Sequence, residues 1–294
     1  MAHVLGIDFG STTGKAVILD EDGRIIAAQV SQKGAVSDLG VKAALAAAFK
    51  EAGLRQADIA RTVSTGYGRR MLDEADRTIT EITCHARGAA ALVPEVRMVI
   101  DIGGQDSKVI AVDENGFVEQ FAMNDRCAGG TGKFLETLAR AVNVELDDMG
   151  PLALQAGEFP QVSSMCATFA ETEVIALLAE GYEKIPVLAG VHAALAKRMS
   201  GLVARVGLRK PAVMTGGVAR NPAAVKHIGE VLGVDLIVPA KPQIAGALGA
   251  ALYALDDFRQ QGASNRHNDN LIEAGMEQAD TIPFTPPCKA SSKA

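Results

Sequence analysis

An internal repeat limits the possible folds of this chain more than any other sequence feature. The segment IDFGSTTGKAVILDEDG (residues 7–23) aligns without gaps with IDIGGQDSKVIAVDENG (residues 100–116). Each copy predicts a strand, a tight turn, a second strand and a turn that ends in glycine. Because helical segments follow both copies, the repeat predicts a duplicated α/β fold with a cleft between its halves.

An aspartate stands at the end of the first strand in each copy, at Asp8 and Asp101. The turns that follow can point backbone N–H groups at phosphate oxygens, and the two carboxylates can hold hydrated Mg²⁺ and orient a water molecule. The repeat therefore predicts phosphate chemistry in the cleft. Neither GSTTGK nor GGTGKF has the spacing of a Walker motif, and no dinucleotide-binding fingerprint follows the first strand.

A third glycine turn, TGGVARN (residues 215–221), follows an apolar strand and precedes a helix that is predicted to begin near Pro222. Gly216 and Gly217 would allow adenine and ribose to approach the backbone closely, although a plain strand-to-helix loop has the same pattern. The small residues of AGALGAA (residues 245–251) predict a helix that packs tightly against the nucleotide-binding half.

Composition argues against several classes of protein. A net charge of −6 and a pI near 5.5, without clustered basic residues, argue against a nucleic-acid or anionic-membrane partner. The N-terminal residues lack a secretory pattern and no apolar run is long enough to span a membrane, so we expect a cytoplasmic protein. The four widely spaced cysteines are expected to be reduced, metal-bound or inert rather than disulfide-bonded.

Several motifs resemble known ATPases. DFGSTTGK, DIGGQDSK, TGGVARN and GALGAA are similar to the phosphate, adenosine and closing-helix segments of the acetate and sugar kinase, heat-shock chaperone and actin superfamily. STGYGR, MNDRCAGGTGKFLE and CATFAETEVI resemble one branch more closely. That branch contains the iron–sulfur ATPases that activate 2-hydroxyacyl-CoA dehydratases and the ATP-binding subunits of benzoyl-CoA reductases, the BadF/BadG/BcrA/BcrD type. The resemblance covers residues 3–258.

The resemblance implies a fold of two ribonuclease-H-like, actin-like ATPase domains, at residues 1–95 and 96–258. Residues 259–294 lack apolar periodicity, so we expect a disordered or loosely attached tail there. The resemblance also implies ATP or ADP and Mg²⁺ as ligands. Asp8 and Asp101 would act in catalysis and hold Mg²⁺ through water, and Gln105 would position water or sense the nucleotide. The other nucleotide-binding residues would be Gly10, Ser11, Thr12, Thr13, Lys15, Gly103, Gly104, Asp106, Gly216, Gly217, Val218 and Asn221.

Cys127 and Cys166 each precede a predicted helix, whose N-terminal N–H groups favour a thiolate. The resemblance implies that both are ligands of a 4Fe–4S cluster. Since such a cluster takes four thiolates, a two-fold dimer would supply the other pair, from a copy of this chain or from a sister subunit. Cys84 and His85 are expected to be structural, and Cys288 to be an exposed residue without a role.

The resemblance implies ATP-driven transfer of one low-potential electron. A reduced ferredoxin or flavodoxin would be the donor, and an iron–sulfur component that acts on acyl-CoA would be the acceptor. We expect a 2-hydroxyacyl-CoA dehydratase as that acceptor, with a benzoyl-CoA reductase as the alternative. Two other classes stay open: a small-molecule kinase, for which the sequence offers no separate general base, and a non-catalytic nucleotide switch, which the two cysteine motifs disfavour.

Overall fold

The computed structural model describes residues 2–32, 38–73, 75–163 and 166–261. Residues up to 255 form one compact unit that contains two five-stranded sheets. The first sheet has the strand order β3-β2-β1-β4-β5. Its strands are β1 (His3–Phe9), β2 (Thr13–Asp20), β3 (Ile25–Gln32), β4 (Ile59–Thr65) and β5 (Arg77–Thr78).

The second sheet repeats this plan with the strand order β8-β7-β6-β9-β10. In both sheets the hairpin strands pair antiparallel, and the later strands add in parallel. The expected duplicated α/β fold is therefore confirmed. The strands are β6 (Met98–Ile102), β7 (Ser107–Val112), β8 (Val118–Asn124), β9 (Ala212–Thr215) and β10 (Leu236–Ile237).

Helices cover both sheets and supply most of the hydrophobic core. The helices are α1 (Asp38–Ala52), α2 (Glu81–Leu92), α3 (Gly132–Ala141), α4 (Leu146–Ala153), α5 (Ala167–Ala179), α6 (Lys184–Val206), α7 (Pro222–Leu232) and α8 (residues 245–261). Apolar residues of α1 pack on the first sheet, and those of α3 to α7 form a larger core with the second. Burial of this apolar surface is the main favourable term in folding.

Two helices connect the halves of the molecule. α2 follows the strands of the first sheet along the chain but packs on the second, and α8 follows the strands of the second sheet but packs on the first. Ala86 and Ala89 of α2 pack on the second sheet, whereas the backbone of α8 at Ala247 lies against Gly6 of β1. Gly88 of α2 and Gly249 of α8 have no space for a Cβ atom, because the two helix backbones touch there. The predicted domain boundary near residue 95 stays a prediction.

By length and composition α6 could cross a membrane. However, 67% of its most apolar segment is buried inside the protein, which is typical of the central helix of a folded core. The tail was predicted to begin at residue 259, but residues 259–261 still belong to α8. The rest of that tail, with Cys288, lies outside the described residues.

Candidate functional site

A cavity of about 590 Å³ lies between the two hairpins, which is a typical volume for a small-molecule site. Its walls are the β1–β2 and β6–β7 turns, α3, the start of α4 and the β9–α7 turn. Asp101 lines this cavity, whereas Asp8 is buried beside it. All the other predicted nucleotide-binding residues line it: Gly10, Ser11, Thr12, Thr13, Lys15, Gly103, Gly104, Gln105, Asp106, Gly216, Gly217, Val218 and Asn221.

The turns of the two hairpins have the same hydrogen bond and meet across the cavity. The Gly10 N–H donates to the Thr13 carbonyl at 3.1 Å, and the Gly103 N–H donates to the Asp106 carbonyl at 2.9 Å. The Thr12 side chain lies against Gly104, where a Cβ atom would collide with it. We call these segments the first turn (residues 10–13) and the second turn (residues 103–106).

The second turn also holds the beginning of α3. The Gly132 and Lys133 N–H groups donate to the carbonyls of Gly103 and Gly104, both at 2.8 Å. The first N–H groups of a helix have no partner within the helix, so this turn satisfies two of them. Since α3 in turn packs against α5, a shift of the second turn can be passed on to both helices.

In the first hairpin one carboxylate oxygen is left without a partner. Asp8 lies opposite Lys15 in the strand register, with Lys15 Nζ 2.9 Å from Asp8 Oδ2. Burial would lower the pKa of Lys15, but the Asp8 carboxylate outweighs it and raises that pKa. Asp8 Oδ1 is buried and finds no hydrogen-bond partner among the described residues. A buried, unpaired carboxylate oxygen beside a phosphate-sized turn fits a hydrated Mg²⁺.

In the second hairpin the equivalent carboxylate is fully surrounded by donors. Asp101 lies opposite Lys108, whose Nζ is 3.2 Å from Asp101 Oδ2. The Thr215 hydroxyl donates to Asp101 Oδ1 at 2.8 Å, and His85 Nε2 lies 3.4 Å from the same oxygen. Burial would raise the pKa of Asp101, but His85 and Lys108 hold it well below its usual value. The role of Asp101 as a magnesium ligand stays a prediction.

A cluster of buried charges surrounds Lys108. Its ammonium group lies 2.8 Å from Glu81 and 2.5 Å from Asp106, in addition to Asp101. Burial opposes the charge of Lys108, yet these carboxylates raise its pKa well above the ordinary value. Glu81, His85 and Asp101 are close enough together to hold a metal ion, but the Lys108 ammonium already neutralises two of these carboxylates. We therefore interpret this group as an internal salt cluster.

His85 lines the cavity, although the sequence predicted only a structural role for it. Burial would lower its pKa, but Asp101 raises the pKa to about 9, so the imidazole is charged at neutral pH. Its Nδ1–H donates to the Glu81 carbonyl at 3.0 Å, and Nε2 faces Asp101. The spacing of Glu81 and His85 on one helix face was visible in the sequence, whereas the approach of Asp101 was not.

Asn221 connects the side of the cavity formed by the β9–α7 turn to the protein core. Its Oδ1 accepts the Ala224 N–H at 3.0 Å and caps α7, which begins at Pro222 as predicted. His192 donates from Nδ1 to the Leu188 carbonyl at 2.7 Å, and its Nε2 lies 3.0 Å from Asn221 Nδ2. Burial lowers the pKa of His192 to about 4, so the neutral ring accepts the Asn221 N–H. His192 was not found from the sequence.

Cys127 lies in a loop and not at a helix entrance, so this prediction was wrong. α3 begins only at Gly132, because Thr131 donates both its N–H and its hydroxyl to the Ala128 carbonyl and forms a turn before the helix. Asn124 fixes the loop by donating to the Cys127 carbonyl at 2.9 Å and to the Gly129 carbonyl at 3.0 Å. The thiol of Cys127 is half-buried.

Cys166 has the predicted helix position, as the N-cap residue of α5. Its thiol is exposed, and the backbone N–H groups of Phe169 and Thr168 lower its pKa. Cys84 is fully buried, and burial raises the pKa of its thiol to about 12. Cys127 and Cys166 can therefore be metal ligands near the protein surface, whereas Cys84 cannot. Two such thiols fit one half of a four-thiolate site.

A match to one protein family extends over most of the chain. The profile of the BadF/BadG/BcrA/BcrD ATPase family matches residues 5–254. The chain belongs to the BadF/BadG/BcrA/BcrD ATPase family. The actin-like ATPase fold expected from the sequence is confirmed, and both turns, the adenosine segment and both cysteine loops lie inside the matched region.

Relatives within this ATPase family match the chain over almost all of its described length. The activator of lactoyl-CoA dehydratase from Anaerotignum propionicum is 50% identical over 254 residues, which cover 86% of this chain and 98% of that protein. The solved structure of the activator of the 2-hydroxyisocaproyl-CoA dehydratase from Clostridium difficile with bound ADPNP is 41% identical, with a TM-score of 0.86. That alignment covers 89% of this chain and 97% of the structure.

A less similar relative is a benzoyl-CoA reductase subunit from Thauera aromatica. It is 36% identical over 233 residues, which cover 77% of this chain and 81% of that protein. Both alternatives raised by the sequence are thus represented in the family. The dehydratase activators are the more similar group.

Proposed function

We propose that this protein is an ATP-hydrolysing iron–sulfur activator, which drives one low-potential electron into an acyl-CoA dehydratase. Its similarity to activators of dehydratases for 2-hydroxyacyl-CoA substrates supports a 2-hydroxyacyl-CoA dehydratase as the partner. The acceptor would be an iron–sulfur component, the donor a reduced ferredoxin or flavodoxin, and the compartment the cytoplasm.

One observation carries this proposal: the second turn is hydrogen-bonded to α3, and α3 packs on α5, whose N-cap is Cys166. ATP bound between the two turns would draw them together through its phosphates. The carbonyls of Gly103 and Gly104 would pass this movement to α3 and α5. The nucleotide state would thereby change the position of the exposed Cys166 thiol.

The cavity residues would divide the work of hydrolysis. Backbone N–H groups of the two turns and Lys15 would bind the phosphates, and the unpaired oxygen of Asp8 would hold the water shell of Mg²⁺. Gln105, which lines the cavity on the second turn, would position the attacking water or sense the terminal phosphate. Asp101 would fix the local charge pattern through Lys108 and His85.

The thiols of Cys127 and Cys166 would hold one half of a 4Fe–4S cluster, and the other half would come from the second protomer of a two-fold dimer. When bound, such a cluster stores a single electron. The thiolate-favouring N-cap position of Cys166 and the loop fixed by Asn124 supply the ligands on this chain. The second protomer would be a copy of this chain or a sister subunit.

The test is an iron and sulfide assay on protein purified without oxygen. We expect about four irons for every two chains, with the iron lost in Cys127→Ser and in Cys166→Ser. Cys84→Ser is the matched control, because a fully buried thiol cannot reach a cluster shared between two protomers, and it should keep its iron. Iron-free wild-type protein that still hydrolyses ATP after anaerobic reconstitution would contradict the proposal. Phosphorylation of a small molecule by that protein would favour the kinase alternative.

An ATP-binding component of a benzoyl-CoA reductase is the second candidate function, because one subunit of such an enzyme is also a relative. The two functions differ in the second protomer. Mass measurement of the anaerobic protein expressed alone should give a homodimer with a complete cluster if it is a dehydratase activator. A chain that completes its cluster only with a co-expressed sister subunit would favour the reductase.

A further inference from the structure

A second cavity, of about 290 Å³, lies on the face of the second sheet that points away from the nucleotide. β7, β8 and α6 form its walls. Since side chains alternate along a strand, Lys108 lines the nucleotide cleft while its neighbour Ser107 lines this second cavity. The Ser107 hydroxyl is buried and has no hydrogen-bond partner within the described chain.

Three cations of α6 line this cavity, namely Lys197, Arg198 and Arg205. α6 contains no acidic residue, although the whole chain has 35 acidic and 29 basic residues. Among the described residues none of the three cations forms an ion pair with a carboxylate. The helix dipole accounts for a cation in the last turn, at Arg205, but Lys197 and Arg198 lie further from the end of the helix.

The cavity shares its wall with the Cys127 loop. Asn124 lines the cavity, and its side chain donates to the carbonyls of Cys127 and Gly129. The aliphatic stem of Arg198 lies against Gly130, which has a φ of 84° and no space for a Cβ atom. A partner bound over these cations would therefore lie next to the loop that carries Cys127.

We propose that this cationic cavity, lined by Lys197, Arg198 and Arg205, is the docking surface for an acidic electron-donor protein. This inference rests on the proposed electron-transfer function. A chain with a net charge of −6 repels an acidic partner, and a local cationic surface beside Cys127 offsets that repulsion where the electron enters. Electron-transfer encounters use small interfaces, so a few cations around a shallow cavity are sufficient.

The fold favours the donor over the acceptor at this surface. α6 packs directly on β7 and β8, so the cavity walls are part of one core and are present before ATP closes the cleft. In the proposed cycle the donor would load the electron in that state. The exposed side of α5 next to Cys166 carries Phe169 and Ile175, and α5 packs on α3, so it would shift with the nucleotide and suit contacts that depend on it.

The test measures the affinity of an acidic, ferredoxin-type protein for the iron-loaded, oxygen-free wild-type protein and for the double variant Lys197→Glu/Arg205→Glu. Both side chains are exposed, so the variant should fold, which circular dichroism and urea unfolding will check. We expect the dissociation constant to rise about tenfold or more at an ionic strength of about 0.1 M, where the Debye length is about 10 Å, and the wild-type affinity to fall as more salt is added. The rate at which the donor reduces the protein should fall in parallel.

The matched control is Lys184→Glu, which changes an exposed lysine on the same helix. At 1.5 Å per residue, Lys184 lies about 20 Å from Lys197 and about 30 Å from Arg205. Its dissociation constant should stay within about twofold of wild type, because only local charge acts at moderate salt. An unchanged affinity in the double variant would overturn the proposal. Normal donor binding with weakened binding of the acyl-CoA component would also overturn it, since the surface would then serve the acceptor.

Inorganic phosphate distinguishes a small-anion site from a protein-docking site. Stronger inhibition of donor binding by phosphate than by chloride at equal ionic strength would indicate a small-anion site and overturn the proposal. Failure of the proposed function is detected separately. Wild-type protein that contains no iron, or that dithionite does not reduce, contradicts electron transfer itself before any donor is added.

Discussion

The two hairpins have the same strand register but different electrostatic surroundings. In each, an aspartate at the end of the first strand faces a lysine on the second, as Asp8 faces Lys15 and Asp101 faces Lys108. The first pair lies beside the cavity with one carboxylate oxygen unpaired. The second pair is enclosed by residues of α2, β9 and its own turn. The repeat thus contains one aspartate with an unpaired oxygen and one whose two oxygens are both paired.

The strongest test of this difference compares Lys108→Met with Lys15→Met. Lys108→Met removes the cation that pairs with two buried carboxylates, Asp101 and Asp106, and with the partly buried Glu81, so we expect the free energy of unfolding to fall by about 3–5 kcal/mol. Lys15→Met removes one partly exposed ion pair and should cost about 1–2 kcal/mol. Urea unfolding followed by circular dichroism measures both values. Equal losses would show that the two lysines have equivalent surroundings.

The pH dependence of stability tests the charge of His85 beside Asp101. Its pKa rises from 6.5 to about 9 on folding, so its contribution is complete below pH 6.5 and disappears as the pH rises through 9. At 1.36 kcal/mol per pKa unit, the contribution is up to about 3 kcal/mol. In urea unfolding, His85→Gln should remove this alkaline loss of stability. His227→Gln is the control and should keep the alkaline loss of stability. If His85→Gln also kept the wild-type pH profile of stability, the charge assigned to His85 would be wrong.

Asp8→Asn and Asp101→Asn separate the two acids by function. We expect Asp8→Asn to lower kcat for ATP hydrolysis about 100-fold, because its carboxylate lies beside the cavity and has an unpaired oxygen. The free energy of unfolding should fall by only about 1–2 kcal/mol, since this variant breaks the same ion pair as Lys15→Met. Asp101→Asn should also lower the free energy of unfolding, because His85 and Lys108 lose their counter-charge. Steady-state assays at saturating MgATP and urea unfolding measure the two effects. Unchanged hydrolysis in Asp101→Asn would remove Asp101 from the mechanism.

The smallest expected effect concerns the contact between the two turns. Gly104→Ala places a methyl group against Thr12, so we expect the affinity for ADP to fall about fivefold, or roughly 1 kcal/mol. Thr12→Ala removes the collision, and the double variant should regain most of the affinity. Calorimetric titration with ADP gives the coupling energy of the pair. Strictly additive losses would mean that the turns do not touch in the nucleotide-bound protein.

Sequence patterns predicted the elements that depend on neighbouring residues. The repeat predicted both hairpins, the TGGVARN turn predicted a helix that begins near Pro222, and the CATFAE segment predicted a helix that begins just after Cys166. The same reasoning placed Cys127 wrongly, because Asn124 and Thr131 form side-chain hydrogen bonds that delay the helix. A glycine-rich segment contains too little local information to show where its helix begins.

The sequence alone determined the two duplicated hairpins, the aspartate at the end of the first strand of each, and the strand-to-helix turn at residues 215–221, because these follow from strand alternation, turn residues and helix caps. Only the tertiary structure decided which aspartate keeps an unpaired oxygen. Thr215, which contacts Asp101, is 114 residues away in the sequence, and His85 contacts Asp101 from α2. The tertiary structure also decided that three cations of α6 line one cavity with Asn124, the residue that holds the Cys127 loop. The energy of a buried charge depends on every group packed around it, and distant parts of the chain supply those groups.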